Sequence, residues 1–242
     1  MARITSNPAV ASNGNIFSAS TTQEMDLGAK MVTADGSVYR YAKVGAAALV
    51  AGKLYDGPAE VANHQNISCA VASAGATSIT VTLGATAATA NQYAGGYIVI
   101  NDVDGQGYTY GIKSHPAADG SATLVLTLED GETVQEDLTT NSQATLVPNQ
   151  YNGIIIHAAT ETGVPVGVAV GDIAAGSYCW IKSRGTASVL QDAAAADVGK
   201  SVGASTTTDG SVTANDGTLR EVGVMLATGV STEYNPVFLT ID

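Results

Sequence analysis

Lysine and arginine are scarce in this sequence. Ten of them stand against twenty-two aspartates and glutamates in 242 residues, a formal net charge of −12. From residue 114 to residue 181 there is no lysine or arginine, while eight acids fall there: Asp119, Glu129, Asp130, Glu132, Glu136, Asp137, Glu161 and Asp172. A surface of that sign repels phosphate backbones and anionic headgroups, which argues against nucleic acid and membrane as partners. Cysteine is nearly absent. Cys69 and Cys179 are too few and too far apart for a disulfide framework, so buried free thiols are expected. No apolar run approaches the length of a membrane span. The opening residues lack the apolar core of a signal peptide, so folding in a reducing cytoplasm is the expectation.

What is present is small and turn-forming. There are 27 glycines, and only 13% of residues are charged, which favours many turns over long amphipathic helices. Hydrophobic residues reach 45%, enough for a sizeable core, although much of that share is alanine and buries little area per residue. Residues 1–24 are polar and without a period of two or 3.6, and read as an extended arm in which Ile16 and Phe17 stand out. Asp35-Gly36 marks a turn between two strands, 30–32 and 38–44. In the second strand Tyr39, Tyr41 and Lys43 share one face, and Val38, Arg40, Ala42 and Val44 the other.

Further along, Ile79, Val81 and Leu83 alternate with threonines, as in a strand with one buried face. Residues 97–100 and 108–112 flank Asp104-Gly105 as a hairpin. Residues 123–128 alternate again, and Pro148 closes this stretch. Two single helical turns are expected, one capped by Thr89 and one across the four alanines between Asp192 and Asp197. Val166-Gly-Val and Val222-Gly-Val share a core of strand chemistry. The expected fold is all-β: two small antiparallel sandwich or barrel units, an extended N-terminal arm and very little helix. The expected divisions are an arm at 1–24, a barrel-like domain from 25–65 plus 154–242, and an inserted β domain at 66–153.

Chemistry-bearing motifs are weak. Asp102-Val-Asp-Gly resembles part of a calcium loop, but no further oxygen ligands follow, so a hairpin turn is the better reading. His64, His115 and His157 lack metal-ligand spacing and read as surface or packing residues. There is no G-x-S-x-G and no nucleophilic triad in the pattern. A carboxylate pair for hydrolysis or lyase chemistry would have to come from separated acids such as Asp102, Asp104, Glu129 and Asp130. The expectation is a non-enzymatic protein with no cofactor, no metal and no small-molecule substrate. Ten tyrosines outnumber two phenylalanines and one tryptophan. Tyr39 with Tyr41, and Tyr108 with Tyr110, are i, i+2 pairs, suited either to a contact surface or to ordinary cross-strand packing.

Three stretches carry a resemblance. They are residues 25–45 with 49–54; residues 91–102 with 105–116; and Gly167-Val-Ala-Val170, followed by residues 175–185 and 222–226. The last stretch is similar to a G-V-A … A-G-x-Y-x-W-[IV]-x-x-x-G signature. Together they resemble the head decoration proteins, also called cement or auxiliary capsid proteins, of tailed bacteriophages. The resemblance implies a virion structural protein on the outer capsid surface, made in the bacterial cytoplasm. Such a protein is commonly a homotrimer that bridges capsomers of the major capsid protein and stabilises the shell. On that reading Ile4, Ile16 and Phe17 are anchors to the capsid, and Tyr39, Tyr41, Tyr108 and Tyr110 are oligomer or capsid contacts. The alternative is a phage tail, baseplate or receptor-binding component, which would expose aromatics beside carboxylates. A bacterial surface or matrix protein is a third reading.

Overall fold

A computed structural model describes residues 15–242 together with the backbone of Ala9 and Val10. The chain divides into two compact units: Glu60–Asn149, and the described residues up to Ala59 with Gln150–Asp242. The strands before the insertion are β1 (Ala9–Val10), β2 (Ala19–Ser20), β3 (Lys30–Val32), β4 (Val38–Val44) and β5 (Leu54–Asp56). The inserted unit holds β6 (Ile67–Ser68), β7 (Ser78–Thr82), β8 (Tyr97–Asp102), β9 (Thr109–Ser114), β10 (Thr123–Leu128) and β11 (Gln143–Val147). After it come β12 (Asn152–Ile156), β13 (Pro165–Ala169), β14 (Tyr178–Leu190), β15 (Ser201–Ala204), β16 (Val212–Ala214), β17 (Glu221–Met225) and β18 (Tyr234–Thr240). The fold is all-β; among the described residues the one helical element is a 3-10 turn at Ala62–His64.

The inserted unit is a six-stranded sheet in the order β6-β11-β8-β9-β10-β7. A bridge between Cys69 and Val81 brings its two edges together, so the sheet closes on itself. Alternation in β7, β8 and β10 fills the interior, and β9 adds Ile112 beside the buried Tyr110 and Gly111. Ile79, Val81, Ile98, Ile100, Ile112, Leu124 and Leu126 are all fully buried, while the residues between them face outward. Each such side chain contributes roughly 1.5–3 kcal/mol of burial.

The second unit contains a closed ring. β4 pairs with β12, β12 with β5, β5 with β13, β13 with β14, and β14 back with β4. β14 continues past the ring and pairs with β18, which leads into β17, β15 and β16. Both faces of β4 are covered, so the two-faced pattern read from its sequence does not make one face exposed: Val38, Tyr39, Tyr41, Ala42 and Val44 are all buried. The V-G-V runs find their reason here. A Cβ on Gly167 would stand 2.8 Å from the Lys182 carbonyl oxygen, and one on Gly223 would stand 2.4 Å from that of Phe238. Partner backbones approach too closely for any side chain.

Two expectations are corrected. Thr86 to Tyr93 forms no helix: Ala88 exchanges both backbone bonds with Ala118, and past it the Gln92 and Ala94 N–H groups donate to the Thr89 and Asn91 carbonyls as successive hydrogen-bonded turns. The alanines after Asp192 form none either. The Asp192 carboxylate accepts the Ala194 N–H, and the Ala194 and Ala196 carbonyls accept from Ala214 and Gly229. Tertiary bonds have taken the groups a helix needs. The described part of the N-terminal segment is docked on the second unit: Ala9–Val10 pair with β3, and Ala19–Ser20 pair with β14.

Candidate functional site

One groove in the second unit gathers several of the singled-out residues. It has a volume of about 610 Å³ and is lined by Ile16 and Phe17, Tyr39 of β4, the turn Val50–Gly52, Val168–Val170 around the end of β13, Lys182 and Thr186–Ser188 of β14, and Tyr234 of β18. The size lies within the range of small-ligand pockets. Phe17 is 61% exposed and Tyr234 48%, so aromatic surface stands at the mouth. Gly52 has φ +74°, and a Cβ there would meet the Tyr234 ring at 2.6 Å, so the ring lies directly on the turn backbone. The turn is fixed further by the Val50 N–H donating to the Tyr55 hydroxyl and the Ala51 N–H donating to Asp172.

Lys182 is the polar feature of the groove. Register between β14 and β4 shifts between Lys182 and Arg184, and Gly185 has φ +100°. Lys182 precedes the shift and keeps the alternation: it is paired with Tyr39 on β4 and Val168 on β13, on the face opposite Ile181, and is buried there. Its side chain is only 8% exposed. The amine donates to the Thr186 carbonyl at 2.6 Å and sits 5.4 Å from the centre of the Tyr39 ring. Burial pulls its pKa below the ordinary lysine value, against the raising influence of the Asp35 charge.

A second cluster in the same unit is wholly buried. The His157 Nδ1 lies 2.9 Å and 3.1 Å from the two Asp56 oxygens, and its Nε2 lies 3.1 Å from the Ser205 carbonyl oxygen. With an acceptor at each nitrogen the geometry favours the imidazolium form of the ring, paired to the Asp56 carboxylate. Burial alone would favour the neutral ring, but the bond to Asp56, its charge and the Ser205 carbonyl outweigh it and raise the pKa. The residue types evoke a catalytic triad, but the geometry differs. The Ser205 hydroxyl donates to Asp192 at 2.7 Å, and His157 meets only the serine's backbone carbonyl. The arrangement fastens β5, the end of β12 and the end of β15 together.

In the inserted unit His64 and His115 flank Tyr93. The Tyr93 hydroxyl donates to His64 Nδ1 at 2.5 Å, and the Tyr93 N–H donates to His115 Nε2 at 2.9 Å. Their other nitrogens donate to the Thr86 and Pro116 carbonyls. Burial lowers the pKa of His115 and pushes the Tyr93 phenol up to about 12. All three histidines are therefore packing residues. Among the described residues there is no group of three or more potential metal ligands. No helix there is long and apolar enough to cross a membrane.

The residues singled out from the sequence are dispersed by the structure. Ile16, Phe17 and Tyr39 line the groove, whereas Ile4 lies outside the described residues. Tyr41 is buried, stacked at 6.0 Å on Tyr178 and edge-on to Trp180, and its hydroxyl accepts the Glu24 N–H. Tyr110 is buried in the inserted unit with its hydroxyl accepting the Gln135 N–H. Burial within the chain takes Tyr39, Tyr41 and Tyr110 off the outer contact surface and leaves Tyr108, 40% exposed, as the member of the two pairs that faces solvent. Lys182 and Tyr234 were not singled out. The only sequence signal for Lys182 is a cation directly after the apolar run Cys179-Trp-Ile181 of its strand. No protein-family model, curated protein sequence or solved structure matches the chain.

Proposed function

We propose that this protein is a virion structural component that decorates the outer surface of a tailed-phage capsid. On this reading it binds the major capsid protein as a homotrimer, bridges capsomers and stabilises the shell. The observation on which the proposal rests is an exposed aromatic anchor held on a rigid β unit. Phe17 stands out from the surface, while the adjoining Ala19–Ser20 are tied to β14. Aromatic anchors of this kind dominate protein interfaces. The resemblance of the Gly/Val-rich strands to decoration proteins supports the reading, as does the net charge of −12, which keeps many copies on one particle mutually repulsive on their outer faces. Ile4, Ile16 and Phe17 are the proposed capsid contacts, with Tyr108 as a further contact.

A tail or receptor-binding role has one observation in its favour. Tyr97 and Tyr108 are exposed on the β8–β9 hairpin, and the negative charges of Glu132 and Glu136 act on the adjoining Tyr110. Electron cryomicroscopy of particles from the source of this chain separates the readings. Regular density for both units on the outer shell is expected. Density confined to the tail would favour the second reading, and particles without the chain would overturn both. Substituting Phe17→Ala should lower capsid occupancy while leaving the melting temperature unchanged.

A further inference from the structure

The amine of Lys182 in this groove has a hydrogen-bond partner but no ion-pair partner among the described residues. An ammonium group carries three N–H donors. The Thr186 carbonyl takes one, and the Tyr39 ring faces the group at 5.4 Å. The ion pairs of the described residues involve Lys30, Arg40, Lys113 and His157, and none involves Lys182. A charge that is 8% exposed and has no carboxylate beside it is costly to keep. The negative charge that acts on it, Asp35, holds its own hydrogen bonds with Thr33 and Ser37. The walls of the groove are mostly apolar, with Ile16, Phe17, Val50, Val168 and Tyr234 among them.

We propose that this groove is a binding site for a small amphipathic carboxylate, with the anionic head on Lys182 and the apolar body between Phe17, Val168 and Tyr234. The single cation selects the head group. One ammonium matches a monovalent carboxylate, whereas a phosphate needs several converging donors. The apolar walls select the body, because a carboxylate without one gains too little burial to repay its desolvation. The depressed pKa of Lys182 has the same origin as the site: burial without a paired anion. A bound carboxylate supplies that anion and raises the pKa again. The proposal goes beyond the assembly reading and stands or falls without it.

The test is isothermal titration calorimetry of the full chain with decanoate and with decanol, which share a tail and differ in the charged head. Wild type should bind one decanoate per chain, about tenfold or more tightly than decanol. Lys182→Met keeps the volume and removes the charge, and should bind the two probes alike. Ala51→Trp, at an exposed position on the rim, should block both. The proposal is overturned by any of three results: no saturable decanoate binding, equal affinity of wild type for the two probes, or a preference for decanoate that survives in Lys182→Met. A readout on wild type needs no variant. With 13C-labelled lysine, the Lys182 side-chain resonance should move on adding decanoate and stay still with decanol; an unmoved resonance with bound decanoate refutes the head-group contact.

Discussion

His157 and Asp56 lie 101 positions apart in sequence and meet in the interior as an ion pair. The folded-state pKa of the histidine is raised, so its contribution to stability is complete below its ordinary value of 6.5 and is lost as pH rises through the folded value. Chemical denaturation at a series of pH values should therefore show the second unit weakening as pH rises above 6.5. His157→Gln should flatten that part of the profile. His157→Ala leaves Asp56 buried and unpaired and should cost about 3–5 kcal/mol by the same measurement. The thiols give a second test at this scale. Burial pushes Cys69 up to about 11 and Cys179 up to about 12. The thiolate needed for disulfide exchange is then scarce, so a chromogenic disulfide reagent at mildly alkaline pH should release nothing from the native protein and react with both thiols in denaturant. Gly223→Ala should destabilise the fold by roughly 1–3 kcal/mol, because the new methyl meets the β18 backbone and something must shift.

Among the elements, β14 does most to organise the second unit, since it belongs to the closed ring in its first half and to the β18 edge in its second. The segment carrying Ile16 and Phe17 leans on it. Ala19–Ser20 pair with Tyr178–Cys179, and the Glu24 N–H reaches the Tyr41 hydroxyl. Removing residues 1–24 should thus lower the melting temperature of the second unit by about 2–4 °C and leave the inserted unit unchanged in calorimetry. Cys179 should become reactive in the same truncated protein. The strands legible in the sequence are those with one wet face. Ile79, Val81 and Leu83 announce β7 because the threonines between them point outward. β4 was legible as a strand but not in its burial, since the ring covers it on both sides. The alanine runs misled because helix propensity is a local preference, and here Ala118, Ala214 and Gly229 claim the backbone groups. The groove was half legible. Ile16, Phe17 and Tyr39 stand out by residue type, whereas Lys182 owes its burial to cross-strand neighbours, Tyr39 and Val168, that its own strand does not announce, and Tyr234 owes its seat to the left-handed turn at Gly52.

At the level of the whole molecule, one unit is inserted into the other. The chain leaves the outer unit just beyond Gly57 and returns at Gln150, and these two points touch: a Cβ on Gly57 would lie 2.5 Å from the Gln150 side chain. Because the ends meet, replacing residues 60–149 by a short glycine-serine linker should leave the outer unit folded, and the excised 60–149 segment should fold alone, each giving dispersed amide resonances. Loss of dispersion in either would show that the two units need each other. The same layout sets what happens when the backbone is cut at the exposed Ala59–Glu60 junction. The outer unit would then consist of two polypeptides, held together where β4 lies on β14 and β5 on β13. Such a nicked protein should elute intact and separate only in denaturant. Its two fragments, made separately and mixed, are natural halves for complementation, with recovery of the fold set by their concentration.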